Sequence, residues 1–362
     1  MRFAPIPDSL PATVPFTGPE TLERRAGRPF AARLGANENG FGPSPRAIAA
    51  MSRAAAEVWK YGDPDLFDLK TALAAQCGVT PAHITVGEGI DGILGNLVRL
   101  MIAPGDAVVT SDGAYPTFNY HVAGFGGALH KVPYRNDAED PAALAARAAQ
   151  VGARLVYLAN PDNPMGSWVP GADIAAMLDA LPGDCLLVLD QAYGEFAPDD
   201  AVPDIAADDP RVIRMRTFSK AYGMAGARIG YAIGAPDLIA GFDRIRNHFG
   251  VSRMAQAGAL AALNDRDWLA QTVAQVARAR DRIGVIAAEN GMRALPSATN
   301  FVAVDTGRDG DFARRVVAGL AELGVFIRMP GVAPLDRCIR ISCGPDAELD
   351  VLADALPRVL RG

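Results

Sequence analysis

Cysteine and histidine are scarce in this chain, with four of each among 362 residues. The cysteines (Cys77, Cys185, Cys338, Cys343) form no C-x-x-C pair, the histidines (His83, His121, His130, His248) lie far apart, and no H-E-x-x-H occurs. No metal site is therefore expected. The same scatter argues against a disulfide framework and for reduced thiols in a cytoplasm. Cys338 and Cys343 flank the alternating run CIRISC and read as small buried hydrophobes. No apolar run reaches the length needed to cross a membrane. The opening stretch, MRFAPIPDSLPATVPF, is broken by prolines where a signal peptide needs a continuous apolar core. Positive charge is not in excess: 35 Lys and Arg stand against 41 Asp and Glu, for a net charge of −6. That balance excludes a basic surface for nucleic acid. No internal repeat or low-complexity tract stands out.

What is present is an ordinary globular composition, 50% hydrophobic and 21% charged, and enough length for two domains. The segments DAVVTSD, ARLVYLAN, CLLVLDQA, RVIRMRTF and ARIGYAIG are apolar, β-branched-rich and bounded by turn residues, and so read as strands. HITVGEGIDGILGNLVRLM reads as a strand, a glycine turn and a helix, and alanine-rich segments such as DPAALAARAAQVG read as helices between strands. Continuous apolar strands alternating with helices predict an α/β fold, a mostly parallel central sheet covered on both faces by helices. After residue 250 a long helical stretch is followed by NFVAVD, GVFIRM and CIRISC, the pattern of a smaller α+β domain. The expected division is residues 1–45 as a segment joining the small domain, 46–250 as the large domain and 251–362 as the small one.

Ligands of such sheets bind beyond the carboxyl ends of the strands, so the residues there carry the chemistry. VGEGID places Gly89, Ile90 and Asp91 at a helix N-terminus, where free N–H groups favour an anion. ANPDNPMGS puts Asn163 in a proline-flanked turn, and VLDQAYGEF ends a buried strand with Asp190, followed by Tyr193. RMRTFSKAYGMAGARIG then supplies Thr217, Ser219, Lys220 and Arg228. Singly these are ambiguous: a lysine among small residues suits a solvated loop, and Asn163 suits a plain turn. Together they satisfy pyridoxal phosphate. Its aldehyde takes a lysine amine, Lys220, in a Schiff base. Its ring nitrogen needs a carboxylate (Asp190), and its phenolate oxygen needs donors (Asn163, Tyr193). Its phosphate needs a helix N-terminus, hydroxyls and a fixed cation (Gly89 to Asp91, Thr217, Ser219, Arg228). AYPTFNY offers Phe118 as a flat cover for the ring.

With LGANENGFGPSP, KYGDPD, YPTFNY, NPDNPMG, VLDQAYGEF, RTFSKAYGMAGARIG, ATNFVAVD, GVFIRM and CIRIS, the sequence resembles the fold-type-I aminotransferases. Within them it resembles the histidinol-phosphate aminotransferase group, over nearly its whole length. The resemblance implies that Lys220 carries the internal aldimine, that Asp190 pairs with the pyridine nitrogen, and that Asn163 and Tyr193 bond the phenolic oxygen. It implies that Tyr61 of KYGDPD reaches the cofactor of a neighbouring subunit, hence a homodimer. Arg340 matches the arginine that grips the substrate carboxylate beside Asn163, and Arg328 a second substrate arginine.

Departures concern substrate. Phe16 stands where the family usually has an aromatic hydroxyl, Phe249 and Gly250 replace a Tyr-Asn pair, and Met165 interrupts the usual N-P-T-G turn. The expected reaction moves an amino group from histidinol phosphate, or an aromatic or imidazole amino acid, to a 2-oxo acid such as 2-oxoglutarate. Lys220 would act as the general base. The alternative is a decarboxylase resembling the threonine-phosphate decarboxylases, which shares the fold. A non-catalytic regulator would carry an added DNA-binding segment, for which this sequence offers no match.

Overall fold

The computed structural model describes residues 3–12 and 16–361. Its centre is a seven-stranded sheet with the spatial order Ile84–Gly87, Gly230–Gly234, Val212–Thr217, Leu186–Asp190, Leu155–Ala159, Ala107–Ser111 and Ala128–Val132. The Gly230–Gly234 strand is antiparallel to both its neighbours, and the other pairings are parallel. Every residue of Leu155–Ala159, Leu186–Asp190 and Gly230–Gly234 is buried, which is why these segments, Asp190 at a strand end excepted, are continuously apolar rather than alternating. Tyr157, Val188 and Ile213 face one side, among the helices Gly89–Met101, Pro116–Gly124 and Pro236–Phe242. Val156, Leu158, Leu187 and Leu189 face the other, against Pro141–Val151 and Gly171–Ala180. The fold is the expected α/β architecture, a mostly parallel sheet covered by helices.

The long helical stretch after residue 250 divides at Asn264 and Asp265 into Arg253–Leu263 and Arg266–Glu289. Arg253–Leu263 packs with Ala47, Leu69 and Leu73 against the Ile84–Gly87 edge of the large sheet. From Val276 onward the second helix belongs to a different core. There it meets Gly310–Glu322, Asp346–Arg361 and an antiparallel sheet ordered Cys338–Ser342, Phe301–Asp305, Arg293–Ala294. The N-terminal segment enters this second core through Ala32 and Leu34, and Ala32–Arg33 pairs in parallel with Val325–Phe326. Cys343 is buried in this core, and Cys338 is buried beside Met165, Leu295, Ala303 and Leu335, both as small apolar groups. Among the described residues no helix is long and apolar enough to cross a membrane.

Candidate active site

Asp190 ends the Leu186–Asp190 strand and is buried. Its Oδ1 accepts the Ala192 N–H at 2.9 Å, and its Oδ2 accepts the Tyr157 hydroxyl at 2.6 Å. Burial pushes this carboxyl up to about 6, and the two donors hold it from rising further. Among the described residues it has no salt-bridge partner, so a buried carboxylate is left facing a cavity with only dipolar support.

One strand further, the turn after Val212–Thr217 carries Lys220. Its Nζ donates to the Asn37 carbonyl at 3.1 Å and lies 5.5 Å from the centre of the Tyr193 ring. Burial, then the charge of Arg340, push the amine down to about 8. A larger share of it is therefore unprotonated near neutral pH than in free lysine, which a nucleophile requires. The Asn37 side chain also donates to the Tyr193 hydroxyl oxygen at 3.1 Å, and Asn39 donates to the carbonyls of Lys220 and Ala221. Asn37 adopts a left-handed backbone (φ 54°), held by its N–H to Ser342 and by Asn300 donating to its carbonyl. The segment from the second core thus clamps the Lys220 turn.

At the far end stands an anion cradle. Gly89 opens the 13-residue helix Gly89–Met101 with φ +74°, and a Cβ there would lie 2.5 Å from Arg228 Nη2. Glycine alone lets the guanidinium lie against the helix start. Arg228 donates to the Ala225 carbonyl at 2.9 Å and sits 3.6 Å from Asp91 Oδ2. Thr217 and Ser219 join hydroxyls at 2.9 Å beside it. Ile90, Asp91, Asn163, Asp190, Tyr193, Thr217, Ser219, Lys220 and Arg228 all border one cavity of about 260 Å³.

Residues 32–356 match the family model for aminotransferase class I and II. The chain belongs to this aminotransferase family. It is similar to the histidinol-phosphate aminotransferase of Moorella thermoacetica, at 34% identity over 97% of this chain and 91% of that protein. Histidinol-phosphate aminotransferase 2 of Ralstonia nicotianae is 38% identical over 91% of this chain and 88% of its own length. Among solved structures, the histidinol-phosphate aminotransferase of Sinorhizobium meliloti in complex with pyridoxal-5'-phosphate superposes with a TM-score of 0.97 at 58% identity. That match covers 99% of this chain and 98% of that one.

Beside the first cavity of this aminotransferase opens a second, of about 910 Å³, which shares Asp91, Tyr115, Asn163 and Lys220 with it and adds Phe16, Arg328 and Arg340. Arg340, in the middle of Cys338–Ser342, donates Nη1 to Asn163 Oδ1 at 2.5 Å and lies 5.2 Å from the Phe301 ring. Its Nε is buried without a partner, and burial pushes its guanidinium down to about 10. Arg328 pairs with the Arg340 backbone and donates its Nη2 to the Thr17 carbonyl at 2.9 Å, with the Phe16 ring 5.8 Å away.

Three expected residues are not among those bordering the cavities: Gly89, which lies at the helix start against Arg228, Phe118 and Tyr61. Phe118 was expected as the ring cover, but it is wholly buried and stacks on Tyr157 at 4.7 Å behind the cavity wall. The reason is local: Pro116 starts the helix Pro116–Gly124, and its third residue turns toward the sheet. Tyr115, just before the helix, borders both cavities instead and donates its hydroxyl to Asp91 Oδ1 at 2.7 Å. Tyr61 is 77% exposed, packs against Phe249 at 4.8 Å, and borders neither cavity of its own chain. Reasoning from the sequence missed Tyr115, Tyr157 and Asn37. The signal for Tyr157 was a lone hydroxyl in an otherwise apolar strand, two positions before the strand's end.

Proposed function

We propose that this aminotransferase takes its amino group from histidinol phosphate and passes it to a 2-oxo acid, with pyridoxal 5'-phosphate as cofactor. The observation that carries the reading is the convergence on one cavity of the Lys220 amine, the Asp190 carboxylate, which has no salt bridge among the described residues, and Arg228 beside the start of the Gly89–Met101 helix. The donor set fits the cofactor. Arg228, Thr217, Ser219 and the helix start suit its phosphate, and Asp190 suits a protonated ring nitrogen. Asn163 and Tyr193 suit its phenolic oxygen, and Tyr115 borders the space its ring would fill.

When bound, the cofactor supplies an electrophilic carbon and a ring able to accept electrons. Lys220 Nζ, already depressed in basicity, serves first as nucleophile and then as the base that removes the substrate α-proton. Asp190, as an anion, opposes loss of the ring-nitrogen proton. Arg340, with an unpartnered Nε and one bond to Asn163, receives a carboxylate. Arg328 offers a second cation at the mouth, beside the aromatic Phe16. The names of the relatives support histidinol phosphate as donor, and the absence of a hydroxyl at Phe16 makes aromatic amino acids the second substrates to test.

A homodimer in a cytoplasm belongs to the same reading: Tyr61, exposed and outside its own chain's site, would serve a neighbour's phosphate. Within the chain, the packing supports placing the boundary of the two domains inside Arg266–Glu289 rather than at residue 250. The deciding assay incubates the holoenzyme with 2-oxoglutarate and either histidinol phosphate or phenylalanine, following glutamate and carbon dioxide. Glutamate without carbon dioxide, fastest with histidinol phosphate, supports the reading. Carbon dioxide release would replace it with the decarboxylase alternative.

A further inference from the structure

The strand that carries Arg340, Cys338–Ser342, is tied to the large-sheet side of the molecule by the arginine just before it, Arg337. Arg337 Nη2 lies between both carboxylate oxygens of Asp137, 2.9 Å from Oδ1 and 2.7 Å from Oδ2. Its Nε donates to Asp305 Oδ2 at 3.2 Å and its Nη1 to the Pro334 carbonyl at 3.0 Å, so every nitrogen of the guanidinium is engaged. Both side chains of the pair are only 25% exposed. Withdrawn from water and bound on all sides, such a pair keeps its geometry better than an exposed ion pair does.

Asp137 lies between Ala128–Val132 and Pro141–Val151. Asn136 and Asp137 have φ +52° and +64°, and Arg135 and Ala138 exchange backbone hydrogen bonds of 2.9 and 3.1 Å across them. Two successive positive φ angles closed in this way mark a tight type I′ turn, which Asn and Asp tolerate well. The Asp137 carboxylate is therefore presented from a fixed backbone. The Asp137 carbonyl accepts the Ser167 hydroxyl at 3.1 Å, and the Ser167 carbonyl accepts the Asp162 N–H at 2.8 Å, closing the turn that presents Asn163. A second link joins that turn to the segment leading into Phe301–Asp305, where the Ala298 N–H donates to the Gly166 carbonyl at 2.8 Å.

These contacts close a ring. Arg340 bonds Asn163, the Asn163 turn is held to Asp137 by Ser167, Asp137 grips Arg337, and the strand runs from Arg337 back to Arg340. We propose that Asp137 and Arg337 are positioning residues for the carboxylate of the 2-oxo acid: their ion pair fixes where Arg340 stands against Asn163. Neither borders either cavity, so they act through Arg340 and not on the ligand. The strand can carry the effect because it is paired along its whole length with Phe301–Asp305. The inference rests on the reading of Arg340 as the receptor of the acceptor's carboxylate.

The test is binding of succinate, an unreactive dicarboxylate, to the holoenzyme by calorimetry, beside steady-state kinetics with 2-oxoglutarate. Asp137→Asn keeps the turn and removes the charge. It is expected to raise the Kd for succinate about threefold or more. The KM for 2-oxoglutarate should rise by a similar factor with kcat little changed, and affinity for pyridoxal phosphate should stay where it was. An unchanged Kd overturns the inference, and so does an equal loss of cofactor affinity, which a general distortion would give. Ser167→Ala leaves the ion pair intact and removes only its link to the Asn163 turn. It is expected to raise Kd by a smaller factor, and it decides alone if Asp137→Asn does not fold. In an Arg340→Gln background the effect of Asp137→Asn is expected to vanish, and its persistence would overturn the positioning role. Succinate binding that Arg340→Gln does not weaken would overturn the underlying carboxylate-site reading. Arg340-dependent binding indifferent to both Asp137→Asn and Ser167→Ala would overturn this inference alone.

Discussion

The Tyr157 hydroxyl donates to Asp190 Oδ2 at 2.6 Å, joining adjacent parallel strands at the floor of the cofactor cavity. A donor aimed at the charged form favours ionisation of a buried carboxyl. Tyr157→Phe keeps the ring stacked on Phe118 and removes only this donor. Since a hydrogen bond to a charged group contributes about 1.5–3 kcal/mol, pyridoxal phosphate is expected to bind the variant about tenfold more weakly at pH 7. Raising the pH should recover part of that affinity as Asp190 ionises again. Equilibrium titration of the cofactor between pH 6 and 9 checks it, and equal affinities at every pH would count against the role.

Asp190 also makes the cofactor-free protein pH-sensitive. Its pKa in the folded state, about 6, lies above the 3.8 of a free carboxyl, so the folded chain binds the proton more tightly than the unfolded chain. The stabilisation that follows is present below pH 3.8 and is lost as pH rises through about 6. At pH 8 the ionised carboxylate is thus a destabilising group, by an amount on the order of 2–3 kcal/mol. Asp190→Asn without cofactor is expected to melt several degrees higher than the parent at pH 8, while losing most of its single-turnover transamination rate with cofactor. Calorimetric melting and stopped-flow absorbance test the two halves separately.

Gly89→Ala should damage the phosphate end selectively. The new methyl would lie 2.5 Å from Arg228 Nη2 on a backbone with φ +74°, so either the guanidinium or the helix start must move. Affinity for pyridoxal phosphate is expected to fall about tenfold or more, while affinity for phosphate-free pyridoxal changes little. Parallel titrations with the two compounds read this directly, and equal losses for both would point to a general distortion.

Lys220 and Tyr61 test the shared site. Lys220→Ala and Tyr61→Ala should each have low activity alone, and Lys220→Ala should yield no borohydride-reducible link to the cofactor. If Tyr61 serves the neighbouring subunit, mixed dimers of the two variants contain one site free of both changes and should regain about a quarter of parental activity after random exchange. No recovery after verified exchange, or an active monomer, would contradict a site completed in trans.

The strands and their order around the site were legible because burial on both faces forces continuous apolar runs, and because chemistry collects where such runs stop. Asp190, Lys220 and Arg228 could be placed in this way. Phe118 could not be separated from Tyr115, since both are aromatic and the choice depends on where the helix at Pro116 begins to turn. Tyr157 was hidden inside a strand that reads as pure core, and Asn37 by the distance in sequence between it and the lysine it contacts. The helix Arg253–Leu263 joins the large sheet because of its small residues, among them Ala255, Gly258, Ala259 and Ala262, which allow close approach to Pro45–Ala55. A composition change at residue 250 does not reveal that.

The reversed strand at Gly230–Gly234 has a consequence for how the site keeps its dimensions. Because it runs back against Val212–Thr217, the chain leaves the sheet at Thr217 and re-enters at Gly230 at the same end of the strands, directly opposite in register. Lys220 and Arg228 therefore lie on a single hairpin connection, eight residues apart. The span between the group that would hold the cofactor's carbon and the group that would hold its phosphate is set by a covalent ruler. The second core touches this connection through Asn37 and Asn39, which hold its lysine end in place.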